Sequence, residues 1–139
     1  MARIIALDIG KKRTGIAVTD PLQIIATALD TVETGELIGY LKKYIAAEPV
    51  EKVIVGYPLN MDETPTDATP IVDKFILKFK NVFPNMPVEK TDERMTSRIA
   101  SQQIASMGLK KKAREQKELI DAVSAVMMLQ EALEYKTNL

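Results

Sequence analysis

The feature that most constrains this chain is the order in which its apolar runs arrive. Ile4 to Ile9 is a β-branched run ending in Asp8-Ile9-Gly10, and a second run, Gly15 to Thr19, follows the polar turn Lys11-Lys12-Arg13-Thr14. Two such runs across a short polar turn read as a hairpin. Ile24 to Val32 supplies a third strand. The period then changes: Leu37, Ile38, Leu41 and Ile45 fall at helical spacing within Gly35 to Ala47, which Pro49 ends. Lys52 to Tyr57 is again a buried-strand run, and a helix from about Pro70 to Lys80 presents Val72, Phe75, Ile76 and Phe79 on one face. After the break between Pro84 and Pro87, Val88 to Thr91 reads as a short strand. Helices from about Thr96 to Met107, stopped by Gly108, and from about Gln116 to Tyr135 complete the chain. A meander followed by strands alternating with helices is the pattern of an α/β fold, a mixed sheet whose later strands pair in parallel through helical crossovers.

The length of 139 residues fits one domain spanning 1–139, and no internal repeat or low-complexity linker divides it. Composition then narrows the chemistry. Histidine and cysteine are both absent, which excludes Ser-His-Asp and Cys-His triads, imidazole acid–base pairs, disulfides and His- or Cys-ligated zinc. An enzyme built from this chain works with carboxylates, lysines, hydroxyls or a hard metal ion. Lys+Arg and Asp+Glu both number 19, so any contact with a polyanion must come from local patches. The first apolar run is too short for a signal segment or a membrane span, and a soluble, cytoplasmic protein is expected.

Three acids draw attention. Asp8 sits near the end of a strand whose neighbours Ile4 to Leu7 are apolar, so its carboxylate emerges close to the core, where an unpartnered charge is strongly unfavourable. It could equally cap the following turn. Asp121 precedes the nearly all-apolar segment Ala122 to Leu129, the mark of a helix buried on more than one side, although an acid in a helix's first turns also suits the macrodipole. Asp92-Glu93-Arg94 follows a short strand, where parallel α/β sheets place their ligand-facing loops, but is open to reading as a solvated turn. If these carboxylates converge, a cation must sit among them to hold them ionised. Oxygen-only ligation favours Mg²⁺ or Mn²⁺, and two such ions would serve phosphoryl transfer without a histidine base. Two basic clusters stand next in sequence to candidate acids: Lys11, Lys12 and Arg13 beside Asp8, and Lys110, Lys111, Lys112 and Arg114 ahead of Asp121.

Four segments together resemble the YqgF/RuvX family, whose members are provisionally described as pre-16S ribosomal RNA nucleases and also as Holliday junction resolvases. They are Ala6 to Val18, Val55 to Asp62, Asp92-Glu93-Arg94, and Ile120 to Ala125 continuing to Gln130, in the family's order and across nearly the whole chain. The resemblance implies a ribonuclease H-like fold, a five-stranded mixed sheet flanked by helices, with metal ligands matching Asp8, Glu93 and Asp121. It implies that Asn60 lines the cleft and that Arg13 and Arg94 face the scissile phosphate or brace the acids. The expected partner is nucleic acid, precursor ribosomal RNA or branched DNA, with a ribosomal particle as a further candidate, and the chain acts as a monomer or homodimer. A resolvase making paired cuts should be a symmetric dimer, whereas RNA trimming imposes no such demand. The chain departs from the pattern at Glu63, where glycine is common, at the next helix, which lacks a frequent arginine, and at Ser124, which replaces a frequent alanine at similar size. Two other classes compete. One is a non-catalytic nucleic-acid-binding module. The other is an ATPase of the actin and sugar-kinase superfamily, whose first phosphate loop Asp8 to Ala17 also resembles but which normally uses two such domains.

Overall fold

A computed structural model describes residues 2–58, 62, 64–92 and 123–133. Strands β1 (Arg3–Ile9), β2 (Arg13–Thr19) and β3 (Ala26–Glu33) come first, then a 3₁₀ turn (Thr34–Glu36), α1 (Leu37–Ala47), β4 (Val50–Tyr57), α2 (Thr69–Val82) and β5 (Val88–Asp92). Residues 123–133 are helical and are called α3. The five strands form one sheet in the order β3-β2-β1-β4-β5. β2 pairs antiparallel with β1 and β3, whereas β4 runs parallel to β1 and β5. The meander and the helical crossovers expected from the sequence are both present.

Alternation along β1 decides how the sheet is covered, because successive side chains in a strand point to opposite faces. Ile5, Leu7 and Ile9 join Ile16, Val18, Val53 and Val55 on one face, packed against Leu37 and Leu41 of α1 and Val72, Phe75, Ile76 and Phe79 of α2. Ile4 and Ala6 join Ala17, Ala26 and Ile54 on the other, packed against Ala125, Met128 and Leu129 of α3. Covering both faces accounts for the near-continuous burial of β1 and β2. Asp8 therefore lies on the α3 face, in register with Ile4 and Ala6.

Element boundaries differ from the sequence reading in instructive places. β3 begins at Ala26, not Ile24. The Asp20 carboxylate accepts the backbone N–H groups of Leu22 (3.2 Å), Ile24 (2.7 Å) and Ile25 (2.8 Å), curling the segment into a loop in which Gln23 adopts φ 59°. A side chain that satisfies backbone donors competes directly with strand pairing. These backbone donors, with the Ile25 N–H strongest, hold the Asp20 carboxyl below the usual aspartate range. α1 starts at Leu37 after the 3₁₀ turn, two residues later than expected. α2 starts at Thr69, whose Oγ1 accepts the Thr66 N–H at 2.8 Å and donates to the Pro58 carbonyl, with Pro70 in the first turn. β4 begins at Val50, and β5 extends to Asp92. The helix expected over 96–107 lies outside the described residues.

Candidate active site

Asp8 is 8 % exposed and is the only buried acid among the described residues. Its neighbours across the sheet are small. Asp8 pairs with Gly15 on β2, and Gly15 with Thr31 on β3. On the other side Leu7 pairs with Val55, so Gly56 follows one step on, and Gly56 pairs with Thr91 on β5. The row Thr31, Gly15, Asp8, Gly56, Thr91 thus crosses the α3 face. Directly opposed residues carry their Cβ atoms about 5 Å apart on the same face. Glycine stands on both sides of Asp8 in this row, so neither neighbouring strand adds a side chain beside it there. Glycine within a strand marks a place where another group approaches the backbone closely. The sequence reading passed over Gly15 and Gly56 in this role, although their position inside apolar strand runs is a signal that could have found them.

Arg13 opens β2 two residues before Gly15, pairs with Glu33, and shares the α3 face with Asp8. It is half-buried, while Lys11 and Lys12 are exposed in the turn. That turn is fixed. The Gly10 N–H donates to the Arg13 carbonyl at 2.8 Å, Thr34 Oγ1 donates to the Gly10 carbonyl at 2.7 Å, and the Thr34 N–H donates to the Lys12 carbonyl at 2.9 Å. A Cβ on Gly10 would stand 2.7 Å from the Arg13 carbonyl oxygen, so any other residue would force the turn open. The structure thus brings Asp8 and Arg13 to one face and leaves Lys11 and Lys12 at the adjoining rim.

β5 ends beside β4 at the same edge of the sheet, where Tyr57 pairs with Asp92. Ile54 pairs with Glu89, which places Glu89 and Thr91 on the Asp8 side. Glu89 is held by Lys52 at 3.1 Å. On the opposite face the Lys90 ammonium lies 4.6 Å from the Tyr57 ring centroid, and the Tyr57 hydroxyl donates to Asp73 at 3.1 Å. That bond to a carboxylate pushes the Tyr57 pKa up.

Ser124, which stands where alanine is frequent, lies on α3. Replacing alanine by serine conserves size, but the hydroxyl is buried at 1 % exposure and its Oγ has no hydrogen-bond partner among the described residues. Glu93, Asp121, Asn60, Arg94, Lys110, Lys111, Lys112 and Arg114 lie outside the described residues. Among the described residues no three acidic side chains gather as metal ligands, and no helix is long and apolar enough to cross a membrane.

A five-stranded sheet in this order, with a buried carboxylate on its central strand, defines the ribonuclease H-like class. Solved structures agree. RuvC of Thermus thermophilus, in complex with a Holliday junction substrate, matches with a TM-score of 0.59 at 16 % identity, covering 99 % of this chain and 96 % of that one. The fowlpox virus resolvase, solved with Holliday junction DNA, matches with a TM-score of 0.52 at 14 % identity, covering 94 % and 98 %. The family model for RuvX, described as Holliday junction resolvase, matches residues 2–135. A relative from Flavobacterium psychrophilum is 49 % identical over 98 % of this chain and 99 % of its own length. Another from Christiangramia forsetii is 51 % identical over 94 % and 96 %. Both are named, provisionally, as pre-16S rRNA nucleases. The chain belongs to the RuvX family of nucleases.

Proposed function

We propose that this chain is an endonuclease that hydrolyses phosphodiester bonds in the 5′-end processing of precursor 16S ribosomal RNA, using Mg²⁺ or Mn²⁺ held by Asp8, Glu93 and Asp121. The observation that carries the reading is the placement of Asp8, a buried carboxylate between two glycines at the end of the central strand. The donor set suits a hard divalent ion: carboxylate oxygens, with no histidine or cysteine in the chain. The other two ligands of this reading, Glu93 and Asp121, lie outside the described residues.

When bound, the cation stabilises charge on the attacking and leaving oxygens and makes water a nucleophile at neutral pH. The chain's own residues supply the rest. Arg13 shares Asp8's face and is suited to bidentate contact with a phosphate, a geometry in which lysine would be a poor substitute. Gly15 and Gly56 add no side chain beside Asp8, as close approach of a sugar-phosphate backbone requires. Lys11 and Lys12 offer non-specific phosphate contacts at the rim, and Asn60, Arg94, Lys110, Lys111, Lys112 and Arg114 extend the contact surface.

The decisive experiment is Mg²⁺-dependent cleavage of a precursor 16S RNA substrate beside a four-way DNA junction, with Asp8→Asn as control. Cleavage of the RNA, lost in Asp8→Asn while the fold is kept, is expected. Undiminished cleavage by Asp8→Asn overturns the assignment. Preference for the junction transfers the same site to branched DNA, the reading that the family description favours.

A further inference from the structure

The segment between Arg13 and Lys42 is charged in one sense only. It holds four acids, Asp20, Asp30, Glu33 and Glu36, and no lysine or arginine, in a chain whose acidic and basic residues balance at 19 each. The fold gathers this segment along one margin of the molecule. β3 is the outermost strand of the sheet on that side, and its Thr27, Ala28, Asp30 and Glu33 are exposed. Before its first residue, Leu22, Ile24 and Ile25 stand 57, 67 and 63 % exposed. Past its other end a cleft of about 500 Å³ is lined by Val32, Gly35, Glu36, Gly39, Tyr40 and Lys43. A Cβ on Gly35 or Gly39 would meet nothing within 4 Å, so these glycines border open space and do not serve close packing. Burial, and the Asp30 carboxylate beside the Tyr40 hydroxyl, push the Tyr40 pKa up, which brings Asp30 to the same cleft.

We propose that this margin is a docking site for an extended segment of a partner protein, basic and apolar by turns, which lies along β3 as a further strand and seats an apolar side chain in the cleft beside Gly35 and Gly39. Strand addition draws affinity from main-chain hydrogen bonds and specificity from side-chain pockets. The eight residues of β3 span roughly 26 Å at about 3.3 Å each, so a segment of that length reaches from the Ile24 and Ile25 end to the cleft. Charge selects the occupant. A phosphate backbone is repelled by the four acids. A second copy joined through β3 would set two acidic margins side by side, and like charges opposed across strands are destabilising. A strand bearing lysine or arginine instead meets Asp30, Glu33 and Glu36 as opposite charges. The site is independent of the metal-site reading above.

The probe is an octapeptide alternating lysine and valine, set against one alternating glutamate and valine, with binding to the full chain followed by fluorescence polarisation and amide hydrogen exchange. The lysine peptide should bind, slow exchange along β3, and weaken as salt rises. Glu36→Lys should lower its affinity by about tenfold, since an opposite charge becomes a like one. Gly39→Leu, which fills the cleft where a side chain has space, should lower it by a similar factor while the melting temperature holds or rises, because leucine favours a helix over glycine. Absence of binding at millimolar lysine peptide, equal binding of the glutamate peptide, protection away from β3, or affinity unmoved in either variant overturns the proposal. Concentration-dependent dimerisation that slows the same β3 amides without peptide assigns the margin to a second copy and overturns it as well.

Discussion

The two faces of the sheet are built from different material. Toward α1 and α2, strands β1, β2 and β4 present Ile5, Leu7, Ile9, Ile16, Val18, Val53 and Val55, all large or β-branched. Toward α3 the same strands present Ile4, Ala6, Ala17 and Ile54, then Gly15, Asp8 and Gly56. On the α3 face β1 runs toward its carboxyl end from isoleucine through alanine to an acid flanked by glycines. The first face can interdigitate with two helices and hold the fold. The second sacrifices that packing where a ligand would need space, which is how a scaffold and a site share five strands.

Truncation on the first face should separate stability from activity most sharply. Phe79 is fully buried and stacks near Phe75 and Phe83, with ring centroids 5.7 and 4.9 Å away. Phe79→Ala should cost about 3–5 kcal/mol, read as a lower denaturant midpoint at unchanged slope, while cleavage per folded molecule stays near wild type. A comparable loss of cleavage in the folded fraction would show that the division between faces is false.

The converse change is Gly15→Ala on the second face. A methyl there would stand beside Asp8, and misplacing reacting groups by about 1 Å can cost on the order of 10²-fold in rate. Cleavage should fall by roughly that factor while the unfolding midpoint moves little. A large stability loss with intact activity would assign Gly15 to the scaffold instead. A smaller effect is expected at the rim: neutralising Lys11 and Lys12 together should weaken substrate binding and flatten the salt dependence by about 0.7 per lost contact on single-stranded nucleic acid. An unchanged slope would remove the turn from the interface.

How far this division was legible in the sequence depends on the range of the interaction. The change from alternating runs to helical spacing after Val32 is local, and it foretold the meander, the crossovers and the burial of Asp8. The glycine row was not foreseen, because placing Gly15 and Gly56 beside Asp8 requires the register of three strands, which no single segment contains. Ser124 was judged by size alone, and only packing shows that its hydroxyl is buried. Ile24 and Ile25 have the composition of a strand, yet the Asp20 carboxylate captures their N–H groups and wins. Among the residues expected to act, Asp8, Lys11, Lys12 and Arg13 fall within the described chain, and the register puts Arg13 and Asp8 on one face.

Asp20 and Asp8 extend the comparison from faces to ends of the sheet. Both are acids at the ends of neighbouring strands. Asp8 is buried between two glycines, whereas Asp20 is half-buried and its oxygens are taken up by three backbone N–H groups. Backbone hydrogen bonding holds the Asp20 carboxyl below its ordinary value of 3.8, so it binds its proton less readily folded than unfolded. Its stabilising contribution is therefore complete above the unfolded value and is lost as pH falls through the lower folded value. Asp20→Asn should blunt the acid-side decline in stability, modestly because solvent still reaches the half-buried group, and should speed hydrogen exchange at the Ile24 and Ile25 amides without altering cleavage. Unchanged exchange there would mean that Gln23, which bonds the Ala2 carbonyl at 2.9 Å and Glu51 at 2.8 Å, holds the loop without the carboxylate.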